Sequence, residues 1–302
     1  MGATLVFDII RGLALIVGVA AGTKYKVSDL LFTSWFALGT FFFPNQVLGY
    51  QVTGKDANDG LMYFLVRCFA ASQLAMMFFM WLTLKTNDTT VKGSILWART
   101  LGCLPLLMIM VHGQVYHSKK FGHGNLWFIL PLFVAVWLYN IYQMGIPPPV
   151  VGRREQKGPV SIICRLYFLV LLVAGLQAMV FPQTLLSFVT TSKKFLPEHF
   201  LRLFAASDFS FIFLAWYAPS FLRDEDRKFF FISQLAGGLL EFISLLLACF
   251  IDNVIQVSQL FGMFLFLIPL ILPAVGLVLI VRKEKKQKEE FTSSYYTRSK
   301  SD

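Results

Sequence analysis

The sequence predicts an all-α polytopic membrane protein: two parallel four-helix transmembrane repeats preceded by an N-terminal helix. Three observations predict it. The 302 residues are 56% hydrophobic and only 15% charged, whereas soluble domains carry about 25% charged residues, so the chain lacks the charge to cover a water-facing surface. The apolar residues gather into runs long enough to cross a bilayer, which takes about 20 residues per helix. Finally, one hexad is written twice, as Arg67-Cys68-Phe69-Ala70-Ala71-Ser72 and Arg202-Leu203-Phe204-Ala205-Ala206-Ser207, each time opening a long apolar run.

Residues 3–22 form the first apolar run. No basic segment precedes it, and Asp8 and Arg11 interrupt it, which argues for an uncleaved, signal-anchor-like helix in residues 1–27 rather than a cleaved signal peptide. Residues 28–143 form the first four-span module. Its first span, 28–43, is short and stops at Pro44, which cannot continue the helical hydrogen-bond ladder. After a polar loop with Lys55, Asp56 and Asp59, spans follow at about 61–84, 94–111 and 125–143. Residues 144–160 hold Pro147-Pro148-Pro149 and Arg153-Arg154, the composition of a solvated linker.

The second module, 161–281, repeats the first, with spans at about 161–181, 199–222, 229–251 and 255–281. The correspondences are colinear. Phe43-Pro44 answers to Phe181-Pro182, Val52-Thr53 with Lys55 to Val189-Thr190 with Lys193, and Lys92 to Lys228, with the hexad between. Several matches in one order identify a duplication. Residues 282–302 read as a basic, disordered tail carrying Ser293, Ser294, Tyr295 and Tyr296 as phosphorylatable positions.

The net charge is +10, which in a soluble protein would suggest a nucleic-acid partner. Here the excess lies in short loops and the tail, so the positive-inside rule accounts for it and no nucleic acid is expected. Arg282, Lys283, Lys285, Lys286 and Lys288 place the C-terminus in the cytoplasm, and counting back gives nine spans. Eight is the alternative, with residues 3–22 or 28–43 lying in the interface. An even number of spans per module makes the repeats parallel rather than inverted. Lys119, Lys120, Lys193 and Lys194 then fall on the outer face, against the rule. The sequon Asn87-Asp88-Thr89 falls inside and should stay unused.

A charge within a span costs about 3 kcal/mol unless it finds a partner or water. Arg67 and Arg202 begin their spans, where they can snorkel, bind a lipid phosphate or meet a helix C-terminus. Asp208 lies six residues beyond Arg202, too far round the helix to pair with it, and Glu241 follows Gly237-Gly238, where a neighbouring helix can approach closely. These four residues are the candidate polar binding site. Arg99 and four prolines, Pro105, Pro131, Pro269 and Pro273, also interrupt spans. Of the four histidines, His112, His117, His123 and His199, the first two are spaced five apart, not the four that places two imidazoles on one helix face. Cys68, Cys103, Cys164 and Cys249 read as small buried side chains. No catalytic, metal or cofactor motif is present in the sequence.

The sequence therefore points first to a non-enzymatic scaffold or lipid-interacting protein, with membrane lipids as its partners. A transporter or channel with its site at Arg67, Arg202, Asp208 and Glu241 is the second reading. A membrane-embedded lipid-modifying enzyme using His112 or His117 beside an acid is the third.

Overall fold

The computed structural model describes residues 27–53, 59–122, 124–145, 148–149, 151, 155–188, 194–252, 254 and 268–298. The first apolar run, Lys55, His123, the Val189-Thr190 and Lys193 correspondences and the start of the last span lie outside them. Of the described residues 87% are helical, and the only extended pairing among them is a bridge between Val52 and Phe121.

The helices are α1 (Val27–Phe42), α2 (Pro44–Gln51), α3 (Gly60–Leu82), α4 (Thr89–Tyr116) and α5 (Asn125–Met144). There follow α6 (Pro159–Val180), α7 (Pro182–Leu186), α8 (Phe195–Tyr217), α9 (Asp224–Phe250) and α10 (Ile268–Arg298). Six segments are long and apolar enough to cross a membrane: α3, α4, α5, α6, α8 with its extension to Ser220, and α9.

Local chemistry sets the helix ends. Asp59 caps α3, its carboxylate accepting from the Leu61 N–H at 3.0 Å, and Asp88 caps α4 in the same way through Thr90 at 2.8 Å. Pro44 and Pro182 occupy the first positions of α2 and α7, where a missing N–H costs nothing. The phenylalanine before each adopts nearly the same backbone conformation, φ −125° and ψ 53° at Phe43, φ −121° and ψ 53° at Phe181. Both helices therefore turn the same corner.

The centre of the bundle is the pair α3 and α8, the two helices that carry the repeated hexad. They run side by side in the same direction. Lys194 meets Asp59 at 3.7 Å near their starts, Ser72 meets Asp208 at 2.6 Å midway, and beyond their ends the Leu222 N–H donates to Asp88 at 2.7 Å. The alanines of the hexads are fully buried, and small side chains are what let helices approach without a hydrophobic drive from water. Around this pair the packing crosses over: α1 packs on α3 and α6 on α8, but α9 packs on α3 and α4 on α8. At the α4–α8 crossing Gly102 lies directly against the Ser210 backbone.

Two π-helical stretches occur, one interrupting α4 at Ala98–Gly102 and one opening α5 at Asn125–Ile129. Each lies just before a proline, Pro105 and Pro131. A proline ring clashes with the carbonyl four residues back, here Leu101 or Trp127, and widening the turn relieves that clash. The carbonyls displaced in α4 are satisfied from neighbouring helices: Trp137 donates to Thr100 at 2.8 Å and Ser210 to Ala98 at 3.2 Å.

Two expectations change. The linker is not simply solvated. Gln156 bonds through its N–H to the Pro219 carbonyl at 3.0 Å and through its side-chain amide to Phe221 and Leu222 at 3.2 and 2.9 Å. It thereby takes up carbonyls that the turn after α8 exposes. Nearby, the Arg165 fork bonds both oxygens of Glu155 and holds that carboxyl below the usual range. The tail, expected to be disordered, continues α10 as helix through Arg298. Its Lys- and Glu-rich composition favours helix, with Lys285–Glu289 and Lys286–Glu290 at i,i+4 spacing, and Lys283–Asp224 and Lys228–Glu284 fasten its base to α9.

Candidate functional site

The structure divides the four expected site residues into two groups. Arg67 donates to Asp252 at 2.7 Å, both side chains about a tenth exposed. Arg202 donates to the Met179 carbonyl at 3.1 Å and lies 3.9 Å from Glu198. Asp252 follows α9 and Met179 sits in the last turn of α6, so each arginine holds the C-terminal end of a neighbouring helix, where the helix dipole favours a cation. Both lie five or six residues, about 8–9 Å along the helix, nearer the helix start than Ser72 and Asp208.

Asp208 and Glu241 lie on two helices that both pack against α3. Asp208, on α8, accepts the Ser72 hydroxyl of α3 at 2.6 Å. Glu241 lies on α9, which packs against α3 as α8 does. Both carboxyls are partly buried. The other acids inside the six long spans are Glu198, Asp224, Glu225 and Asp226, and each lies within 4.0 Å of an arginine or lysine. Among the described residues Asp208 and Glu241 have no such partner. Two turns before Glu241 on α9 lies Gln234, 7% exposed. Its Oε1 accepts the Tyr167 hydroxyl at 2.7 Å, while its Nε2 has no partner among the described residues. Polar side-chain bonds thus join α3 to α8 and α6 to α9.

A second constellation is closed. Arg99, in the π-helical stretch of α4, grips Asp29 of α1 with two bonds of 2.8 and 2.7 Å. Thr33 and Asn140 also donate to Asp29, at 2.8 and 3.1 Å, and Gln73 accepts from Arg99 at 3.4 Å. The two charged side chains are 2% and 1% exposed. Sequence reading noted Arg99 but not its partner. The signal was a lone arginine in one apolar run and a lone aspartate opening another, which the cost of burying either alone drives together.

A family described as Domain of unknown function (DUF8292) matches residues 27–278. The chain belongs to that family. No curated protein and no solved structure matches the chain. The matched stretch runs from α1 into α10, so the acid pair, the Asp29–Arg99 ion pair and both repeated arginines all lie within the family domain.

His112, His117 and His199 form an aromatic cluster at one end of the bundle. His117 lies on Phe195 at 3.6 Å between ring centroids, His112 is 6.2 Å from His117, and buried His199 packs against Phe121 at 5.0 Å. Neither His112 nor His117 hydrogen-bonds a carboxylate among the described residues, the contact that acid–base chemistry there would use. No group of three or more His, Cys, Asp or Glu among the described residues is placed to hold a metal ion.

Proposed function

We propose that this protein is a multi-pass membrane protein of the transporter or channel class, built from two parallel four-span modules at residues 28–143 and 161–281. It binds a proton or small monovalent cation at Asp208 and Glu241, with its C-terminus in the cytoplasm. One observation carries the functional part: two acids on helices that pack against α3, with no basic partner among the described residues. Uncompensated carboxyls in an apolar bundle are costly, and a bound proton or cation is what neutralises them. Three features support the modules. They are the matched corners at Phe43 and Phe181, the in-register contacts between the two hexad helices, and the crossed packing of α4 and α9. Sites at the interface of repeats, near mid-membrane, suit alternating access.

The scaffold or lipid-interacting reading draws on Arg67–Asp252 and Arg99–Asp29, charges neutralised inside the bundle that ask for no ligand. It leaves the acid pair unexplained and stands second.

The test is flux into sealed proteoliposomes carrying an internal pH dye, with a sodium-sensitive dye in parallel. Wild-type protein is expected to acidify the lumen or load sodium down an imposed gradient. Glu241→Gln and Asp208→Asn are expected to slow that flux at least about tenfold while eluting as wild type on size exclusion. Flux that neither substitution changes, or a wild type as impermeable as empty vesicles, would sink the reading.

A further inference from the structure

A cavity of about 20 Å3 lies inside the histidine-bearing end of the bundle, walled by α1, α2, α3, α4, α5 and α8. Most of its wall is phenylalanine and leucine. A cavity with such walls alone stays dry. This one is different, because Gln51, Asn125 and His199 also line it. They are 8%, 6% and 3% exposed, so none of them reaches bulk water.

Their hydrogen-bonding capacity is largely unspent. Asn125 donates its side-chain amide to Gln114 at 2.9 Å, which leaves its side-chain oxygen without a partner among the described residues. The Gln51 side chain and the His199 ring make no hydrogen bond at all among those residues. Thr40 also lines the space, but its hydroxyl is committed to the Phe36 carbonyl at 2.7 Å.

Nor are these groups free to turn elsewhere. Gly122 donates to the Gln51 carbonyl at 2.8 Å, and the Asn125 N–H donates to the Gly122 carbonyl at 3.1 Å. The His199 ring is packed between Phe121, Phe195 and Phe200, at 5.0, 5.4 and 5.7 Å between centroids. It also lies against Gly113, where a Cβ would be only 2.5 Å from the ring Cε1. Buried polar groups held in this way pair with protein or with ordered water. A water takes about 10–15 Å3 of such space and about two to four polar partners. The cavity has room for one and offers three.

We propose that this cavity is a binding site for a single water, held by the Gln51 amide, the Asn125 side-chain oxygen and the His199 ring. These three side chains do not bond one another. The water therefore supplies a polar link between α2 and α5 of the N-terminal half and α8 of the C-terminal half. The site is separate from Asp208, which lies nine residues further along α8.

Pulsed X-ray radiolysis of the full-length protein in detergent tests this, because a bound water is converted to hydroxyl radical and oxidises the side chain beside it. Met110 is buried and lines the cavity. Met76, buried in a different core cluster, is the internal control. Met110 is expected to oxidise at least about tenfold faster than Met76. Gln51→Leu/His199→Phe replaces two of the three partners with apolar side chains of similar size and should bring Met110 down to the rate of Met76. Gln51→Leu alone leaves the His199 packing in place, should slow Met110 severalfold, and keeps the test open if the double variant does not fold. Oxidation of Met110 as slow as that of Met76 in the wild type would show that the cavity is dry. A Met110 rate that the substitutions leave unchanged would assign the oxidation to bulk solvent. Either result would overturn the proposal.

Discussion

Arg99→Met is expected to destabilise the protein by about 3–5 kcal/mol, the cost of leaving one member of a buried ion pair uncompensated. Asp29 would remain 1% exposed, with only the Thr33 hydroxyl and Asn140 amide against its charge. Neither supplies a positive charge. The loss also unties α1 from α4 and α5, because Asp29 is the point where Arg99 and Asn140 converge. Detergent-solubilised protein should melt on the order of 10 °C lower. Asp29→Leu/Arg99→Met is the control, since replacing both charges with apolar side chains of similar volume is often neutral. A double variant as unstable as the single one would show that the network holds more than its charges. A single variant as stable as wild type would show that the pair does not hold these helices.

Gly102→Ala carries the second large effect. A Cβ there would lie 2.6 Å from the Ser210 Cα and 2.7 Å from its N. These are backbone atoms of α8, so no rotamer change can relieve the contact. Helix α4 must move off α8, which overpacking data put at about 1–3 kcal/mol. The shift would also stretch the bond from Ser210 to the Ala98 carbonyl, one of the contacts that satisfies the π-helical stretch. Asp208 is two residues from Ser210, so the shift would also displace the proposed binding site. Gly175→Ala is the contrast. Its nearest atom would be 3.5 Å away, an ordinary contact, and alanine favours helix over glycine by about 1 kcal/mol. Unfolding of all three proteins in one detergent separates the cases. Equal stability of Gly102→Ala and Gly175→Ala would mean that α4 and α8 do not pack as closely as described.

Much of the architecture was legible because it follows from local rules. Apolar run length predicted the long helices, prolines predicted the corners at Phe43 and Phe181, and the repeated hexad picked out the two helices at the centre. Asp208 and Glu241 were recognisable as charges with no local partner. What stayed hidden depends on juxtaposition. The Asp29–Arg99 network draws on α1, α3, α4 and α5, and nothing in the spacing of any one run points to the others. Arg67 and Arg202 share a motif yet hold different partners, Asp252 and the Met179 carbonyl, because one helix end offers a carboxylate and the other a bare carbonyl. The docking of Gln156 required knowing where the turn after α8 leaves its carbonyls. The tail was read as disordered from its polar, Ser- and Tyr-bearing composition, although Lys and Glu at i,i+4 spacing also build helix.

The central claim is that two like-oriented modules span a bilayer side by side. Single cysteines at Lys120, Lys194, Asn87 and Lys283, in a background with the four native cysteines replaced by alanine, test it most directly with a membrane-impermeant maleimide on sealed vesicles. The account predicts that Lys120→Cys and Lys194→Cys are labelled from one face only, and Asn87→Cys and Lys283→Cys only from the opposite face. Labelling of Lys120→Cys and Lys194→Cys from opposite faces, or of all four from both, would contradict it.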